Sequence, residues 1–376
     1  MKRLRPYTGV AILFLFGIFI VVLSGDKTVQ QFPTATTGSS SSMIAVVDAT
    51  ATTSIQTPTP VPVPKKVVQS ASKSTPEQVP APINVSVPSA ASAAPSPSDN
   101  AAAFDTSASM LRAALVNIVC YAPAGSGLRS ISGSGVIVDS KGIILTNAHI
   151  AQNFLLADRN VSCTIRSGSP AIDKYNASLI YIPSSWVSAN AKILTEINPR
   201  GTGEYDFALL AISKSITRDE LPSFFSSISL AVSSPNIGTP VVIASYGAQF
   251  LESSQIQSSL FPTVVFGSVK DVFTFATNTI DVLALGGSVA AQEGSSGGGV
   301  ADGKGELVGT ITTSTTKGTT DTRKLDAITA SYIRSAYASE TGEALDILLA
   351  RPISTSIADF KPQIPVLESI LTAHLP

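Results

Sequence analysis

The sequence predicts an all-β protein with two β subdomains, and two observations support this fold class. From about residue 106 onward, short runs rich in β-branched residues follow one another with few helical patterns between them. Glycine, proline, serine or asparagine separates nearly all of these runs, which is typical of barrels or sandwiches and not of an α/β sheet. The runs form two groups on either side of residues 213–236, so we expect two subdomains of similar size.

The predicted strands of the first group are VNIVCYA, SGVIVD, GIILTNAH, VSCTIRS, ASLIYIP and DFALLAI. Those of the second group are PVVIASYG, TVVFGSVK, TIDVLAL and ELVGTITT. Helical patterns flank the two groups. TSASMLRAAL predicts a short capped helix, and LDAITASYIRSAYASETG predicts a helix that ends at Gly342. An apolar stripe at Val366, Ile370 and Leu371 predicts a further helix packed on the body of the protein, with a partner-binding segment as the alternative.

The N-terminus combines a basic flank with an apolar run. Lys2, Arg3 and Arg5 precede an uncharged stretch from Thr8 to Leu23. A basic flank of this kind stays in the cytoplasm and directs the chain beyond the apolar run outward. We therefore expect residues 1–24 to form a cytoplasmic flank and a transmembrane signal anchor in the cell membrane. The alternative is a cleaved signal peptide, which would make the protein secreted.

Residues 25–105 predict a disordered linker. Eleven of the 24 prolines lie there among serine, threonine, alanine and valine, and aromatic residues are nearly absent. Such a segment buries too little apolar surface to offset the entropy lost on ordering. Residues 106–342 then form the folded domain, and residues 343–376 form a partly helical C-terminal tail.

The composition excludes several classes of function. The net charge is −1 with 14% charged residues, and no basic stripe indicates a nucleic-acid partner. Two cysteines and two histidines argue against a zinc site, and His374 near the C-terminus is interpreted as a surface residue. No phosphate-binding loop or dinucleotide fingerprint occurs, so we expect neither a metal nor a cofactor. Chemistry that needs an imidazole must use His149.

Three residues could carry such chemistry, although each has an ordinary structural interpretation. His149 follows an apolar strand and could be an ordinary half-buried side chain. Asp206 is the first residue of DFALLAI and could be an ordinary turn residue. Ser296 lies in EGSSGGGV, which could be one more flexible turn. Their order, with the first two in one strand group and the serine in the other, is the arrangement needed for a site between two subdomains.

The chain resembles the trypsin-like serine proteases of the chymotrypsin fold, most nearly their bacterial HtrA-type branch. The resemblance covers roughly residues 116–316 and rests on GSGVIVDSKGIILTNAHI, YDFALLAI, PNIGTPVVIASYG and EGSSGGGVADGKGELVGTIT. It implies two six-stranded antiparallel β-barrels with short flanking helices and a site in the cleft between them.

The resemblance also implies roles for individual residues. Ser296 would be the nucleophile, His149 the general base and Asp206 the group that orients the imidazole. The backbone N–H groups of Gly294 and Ser296 would form the oxyanion hole.

The resemblance places a substrate pocket at Ala290, Thr312 and Thr313. Without an acid at its base, we expect this pocket to prefer small or medium apolar side chains. The first and fourth strands of the N-terminal barrel close against each other in this fold, so Cys120 and Cys163 could form a disulfide. Two separate buried thiols remain the alternative.

The chain departs from the family pattern at two positions beside the candidate nucleophile. Ser295 stands where an aspartate or asparagine is common, and Gly299 where a proline is common. Only about fifty residues follow Lys324, too few for a PDZ module and its linker, so we do not expect HtrA-style peptide-sensing regulation. The resemblance gives no basis for assuming a trimer, and the oligomeric state stays open.

The sequence thus predicts a membrane-tethered extracytoplasmic serine endopeptidase that acts on proteins or peptides. One alternative is a catalytically inactive binding module of the same fold at the cell envelope. Another is an adhesin or stalk protein, which fits only the first hundred residues.

Overall fold

A computed structural model of the chain describes residues 97–196, 201–275, 279–314, 319 and 322–375. The predicted anchor, residues 1–24, and the predicted linker up to residue 96 lie outside this part. Within the described ranges, no helix is both long and apolar enough to cross a membrane. Helix α1 (Pro97–Ala114) begins nine residues before the helix that TSASMLRAAL predicts from residue 106. Its first residue is a proline, which a first helical turn accommodates because that turn needs no N–H donor there.

The first group of strands closes into a six-stranded antiparallel barrel in the order β1-β2-β3-β6-β5-β4. Its strands are β1 (Leu115–Tyr121), β2 (Ile131–Asp139), β3 (Ile143–Thr146), β4 (Ser162–Ser167), β5 (Ile172–Tyr181) and β6 (Ala208–Ser215). All four residues of β3 and the first five of β6 are buried. These two strands pair with each other and hold the centre of the barrel core.

The barrel closes where β1 pairs with β4. Cys120 lies directly opposite Cys163 in this register. The two residues form a disulfide with their Cα atoms 4.0 Å apart, so the structure favours the cross-link over two separate thiols.

The second group forms a seven-stranded antiparallel sheet in the order β8-β7-β11-β12-β13-β10-β9. Its strands are β7 (Pro240–Ser245), β8 (Thr263–Ser268), β9 (Asp271–Phe273), β10 (Val282–Ala284), β11 (Gly299–Ala301), β12 (Leu307–Ser314) and β13 (Leu325–Thr329).

The two ends of this sheet are halves of one bent chain segment. Only Val269 and Lys270 separate β8 from β9. The Val269 N–H donates to Thr239 O beside β7, and the Lys270 N–H donates to Ala284 O of β10. The bend therefore carries the segment from one edge of the sheet to the other. The seven short strands comprise six chain segments, in agreement with the predicted second barrel.

The helix predicted from residue 325 begins later than its apolar spacing indicated. Residues 325–329 form β13, which pairs with both β12 and β10, and α5 covers Ala330–Thr341. Pairing on both sides outweighs a local helical pattern. The helix ends as predicted, with Gly342 as a left-handed C-cap at φ 73°.

Helices cover the barrels from outside. The remaining ones are α2 (Ala148–Ala151), α3 (Ser184–Asn190), α4 (Ser253–Ser258), α6 (Leu345–Ala350), α7 (Ile353–Phe360) and α8 (Ile364–Thr372). The predicted tail is thus largely helical, with α7 packed on β5 and α8 on α3. Leu371 is buried as the stripe predicted, but Leu367 completes the packed face and Val366 is 62% exposed.

Candidate active site

His149 and Asp206 form a close pair in the first barrel. The Nδ1 atom of His149 lies 2.7 Å from Oδ2 of Asp206, and the His149 backbone N–H donates to Oδ1 at 2.9 Å. The carboxylate can only accept, so the imidazole donates from Nδ1. Among the described residues, Nε2 of His149 has no hydrogen-bond partner and is left to accept a proton.

Short backbone features hold both side chains of this pair. Residues 148–151 form α2 directly after β3, so the imidazole is placed on one helical turn at the end of the strand. Asp206 precedes β6 in a tight turn in which Tyr205 has a left-handed φ of 55°. The Tyr332 hydroxyl of α5 accepts from the Tyr205 N–H at 3.0 Å, and Asn147 Nδ2 donates to Asp206 O at 2.9 Å. The turn is therefore braced from two other elements.

The surroundings of Asp206 keep its side chain ionised. Burial by itself would raise the pKa of this carboxyl. The neighbouring His149 and its two hydrogen bonds, together with the Thr312 hydroxyl that donates to Oδ2 at 2.7 Å, act in the opposite direction and lower the pKa below the usual range of an aspartate. A carboxylate held in this way can fix the imidazole tautomer.

Ser296 lies in a loop of the second barrel. In this loop, every backbone carbonyl oxygen from residue 293 to residue 296 accepts a hydrogen bond. The donors to these four oxygens are, in order, the Ala248 N–H at 2.7 Å, the Ser134 hydroxyl at 2.8 Å, the Gly298 N–H at 2.9 Å and the Ser134 N–H at 2.7 Å. Ser134 belongs to β2 of the first barrel. The loop is therefore fastened to both barrels.

The N–H groups of the same loop alternate between paired and unpaired. Ser295 donates to Gln292 O at 3.1 Å, and Gly297 donates to Ile311 O at 2.9 Å. Within the described ranges, the N–H groups of Gly294 and Ser296 have no partner. Both residues are half-buried, so these two donors can reach a bound molecule. They are the donors that the resemblance assigned to the oxyanion hole.

Two glycines of this loop occupy positions where a side chain would not fit. Gly294 has φ 89°, and a Cβ there would lie 2.7 Å from Tyr246 O. A Cβ on Gly297 would lie 2.0 Å from Ser134 O and 2.5 Å from Thr146 Oγ1. The glycine-rich run EGSSGGGV is thus a tightly packed loop and not a flexible turn, because its backbone touches the backbone of the other barrel.

The Ser296 loop reaches the His149–Asp206 pair through β12. Gly297 donates to Ile311 O, and the next residue, Thr312, donates its hydroxyl to Asp206. Among the described residues, the Ser296 hydroxyl itself makes no hydrogen bond. The structure therefore brings His149 and Asp206 into direct contact and links the serine to them through its backbone.

Of the three residues assigned to the substrate pocket, Ala290 is 1% exposed and its carbonyl accepts from the Ser295 hydroxyl. Ser295, at the position where an aspartate or asparagine is common in the family, is fully buried and braces this turn. Thr312 directs its hydroxyl to Asp206, so its polar group serves the carboxylate. Thr313 belongs to β12, and its side chain lies outside the described part.

Metal ligands do not cluster in the part of the chain that the structure describes, since no group of three or more His, Cys, Asp or Glu residues could hold an ion there.

Sequence reasoning missed Ser134, and although it assigned Thr312 to the substrate pocket it missed the contact of Thr312 with Asp206. Ser134 and Thr312 each bond to a residue more than a hundred positions away, at separations of 160 and 106. A hydroxyl inside a predicted strand was the only local signal, since such a group needs a partner when it is buried.

A comparison with protein-family models identifies a family for this chain. The family model described as Trypsin matches residues 123–337. A search among curated protein sequences found no match. In structure, the chain is similar to the Rv3671c protease from M. tuberculosis in its active form, with a TM-score of 0.40 and 18% identity over 67% of this chain and 89% of that chain. It is also similar to an inactive serine-to-alanine mutant of Rv3671c from M. tuberculosis H37Rv, with a TM-score of 0.39 and 16% identity over 69% and 98% of the two chains.

Proposed function

The chain belongs to the trypsin family, and on this premise we propose that it is a serine endopeptidase using His149, Asp206 and Ser296. One observation carries the proposal: a buried, ionised Asp206 accepts from Nδ1 of His149 and leaves Nε2 free to act as a base. A serine hydroxyl is a poor nucleophile unless such a base takes its proton. The assignment to the HtrA-type branch stays a prediction.

In the proposed reaction, the Ser296 hydroxyl oxygen attacks the carbonyl carbon of the substrate while Nε2 of His149 takes the hydroxyl proton. The carbonyl oxygen becomes an oxyanion, which accepts from the free N–H groups of Gly294 and Ser296. Collapse of this intermediate breaks the C–N bond, and His149 gives its proton to the leaving amine. Water then attacks the acyl-enzyme with His149 again as base, which releases the carboxylic acid and restores Ser296.

A fluorophosphonate probe tests this assignment in the full chain. We expect labelling of the wild-type protein and of Ser335→Ala, a control that removes an exposed serine of α5, but no labelling of Ser296→Ala. Cleavage of an unfolded protein substrate should follow the same pattern. A wild-type protein that is folded yet neither labels nor cleaves would favour the inactive binding module.

The proposed substrates are proteins or peptides with a small or medium apolar side chain at the cleavage site. The buried Ala290 supports this preference, because the predicted base of the pocket carries no acid to pair with lysine or arginine. Sequencing the products of a peptide library tests it, and cleavage mainly after arginine or lysine would contradict it.

The proposal includes tethering outside the cytoplasm, for which the support is the basic flank and apolar run of residues 1–24. Membrane fractionation combined with external protease digestion of intact cells tests this part. Recovery of the full-length chain in the soluble cytoplasmic fraction would contradict it without bearing on the peptidase activity.

A further inference from the structure

Beyond the triad, a hydroxyl of the first barrel contacts the candidate oxyanion loop of the second. Ser134 lies in β2 and is fully buried. Its hydroxyl donates to Gly294 O at 2.8 Å and accepts from the Tyr246 N–H at 2.9 Å. Its own N–H donates to Ser296 O at 2.7 Å, and its carbonyl accepts from Thr146 Oγ1 at 2.7 Å. The hydroxyl, the N–H and the carbonyl of Ser134 therefore all make hydrogen bonds.

The Gly294 N–H lies in the peptide plane that it shares with the Glu293 carbonyl, and rotation at Gly294 relative to the following plane can turn it. A trans peptide points its C=O and N–H in opposite directions. The Ala248 N–H holds the Glu293 carbonyl, which directs the Gly294 N–H to the opposite side. The Ser134 hydroxyl holds the Gly294 carbonyl and so fixes the second plane. Since glycine lacks a Cβ that would restrict its dihedral angles, these hydrogen bonds determine the backbone of Gly294.

We propose that Ser134 is a positioning residue for the oxyanion hole: its hydroxyl fixes the peptide plane after Gly294 and so prevents rotation at Gly294 that would turn the Gly294 N–H away from the oxyanion. The inference rests on the proposed function. Donors that are already oriented stabilise a developing negative charge most, because no reorganisation is needed during the reaction. The hydroxyl belongs to one barrel and the loop to the other, so the donor geometry also depends on how the two barrels meet.

The test compares Ser134→Ala with a control in the same strand. Ser132 lies two residues earlier in β2, and its hydroxyl accepts from Asn117 Nδ2. Within the described residues, this hydroxyl makes no hydrogen bond to residues 293–297. Active sites are first titrated with a fluorophosphonate, so that kcat is expressed per reactive serine. We expect Ser134→Ala to lose at least tenfold in kcat with KM within about twofold, while Ser132→Ala keeps both values.

A transition-state readout separates positioning from a merely structural role. A peptide aldehyde forms a tetrahedral oxyanion on the serine, whereas the corresponding product peptide does not. We expect the affinity of Ser134→Ala for the aldehyde to fall by about the same factor as kcat/KM, with its affinity for the product peptide unchanged. A structural role alone would lower the titrated fraction of active protein and leave kcat per site intact.

The outcomes are distinct. A folded Ser134→Ala protein with kcat per site within twofold of wild type would overturn the inference, as would an equal loss in Ser132→Ala. If Ser134→Ala does not fold, Ser134→Thr and Ser134→Cys decide, because threonine keeps the hydroxyl and a thiol is a weaker donor. A kcat of Ser134→Cys well below that of Ser134→Thr supports the role, and equal values overturn it. An inactive wild-type protein would instead contradict the proposed function.

Discussion

The sharpest consequence of the loop geometry concerns Gly294→Ala. Two effects act at this position. Alanine in place of glycine at φ 89° adds a backbone strain of about 1–2 kcal/mol. The new Cβ would also lie 2.7 Å from Tyr246 O, whereas ordinary contacts begin at 3.4 Å. The contact is to backbone, so the loop itself has to move by about 0.7 Å, the difference between these two distances.

A shift of this size is larger than the tolerance of a catalytic donor, which is about 0.5 Å. Loss of one oxyanion donor lowers kcat by about 10²–10³-fold. We therefore expect Gly294→Ala to lose roughly a hundredfold in kcat. The free energy of unfolding should fall only by the backbone strain at residue 294 and by the cost of the contact between the new Cβ and Tyr246 O. The measurements are kcat on a chromogenic peptide, normalised by active-site titration, and urea unfolding.

Gly342→Ala is the matched control. Gly342 also has a positive φ, 73°, but a Cβ there would meet nothing within 4 Å, and the residue caps α5. We expect this variant to lose the same backbone strain, about 1–2 kcal/mol of stability, and no activity. A folded Gly294→Ala protein that keeps kcat within threefold of wild type would refute the reasoning, because the donor would then tolerate the displacement.

Two further predictions concern the first barrel. Thr312→Val removes one donor from Asp206, so the folded-state pKa of this carboxyl should rise toward its usual value. A lowered pKa stabilises the fold above the unfolded-state pKa of about 3.9 and loses this effect as the pH falls through the folded-state value. In urea unfolding, Thr312→Val should therefore be less stable than the wild type near pH 6–7, and the part of this difference that depends on pH should disappear in strong acid. A difference in the free energy of unfolding that is the same at every pH would argue against this reasoning. Reduction of the Cys120–Cys163 disulfide, which spans 43 residues, should lower the free energy of unfolding by about 4 kcal/mol. A loss below 1 kcal/mol in urea unfolding of reduced against oxidised protein would show that another interaction holds β1 and β4 together.

Most strands of the two barrels could be predicted because each is a run of apolar residues ended by turn residues, a pattern local to the strand. One exception, β9 (Asp271–Phe273), is only three residues long. The two others were strands whose pairing depends on distant partners. Gly299–Ala301 forms β11 inside a glycine-rich stretch, and residues 325–329 pair on both sides although their spacing is helical. In both places tertiary hydrogen bonds outweigh the local preference.

In the candidate site, too, some residues could be predicted from the sequence and others could not. His149, Asp206 and Ser296 could be singled out because the chain has one internal histidine and because the three residues follow the order of the family they resemble. The functions of Ser134 and Thr312 could not, because a buried hydroxyl inside a strand carries no local sign of its partner. Ser295 was noted as a departure from the family pattern, and only its burial shows that it braces the turn at Ala290.

By itself, the sequence determined the family, the two β subdomains and the chemistry available to them, since these follow from residue types and their order. The folded chain decided which groups meet: it joined Cys120 to Cys163 and left the Gly294 and Ser296 N–H groups unpaired within the described residues. The reason is that hydrogen bonds between distant segments depend on how strands register and barrels pack. That geometry is a property of the whole fold and of no single stretch of it.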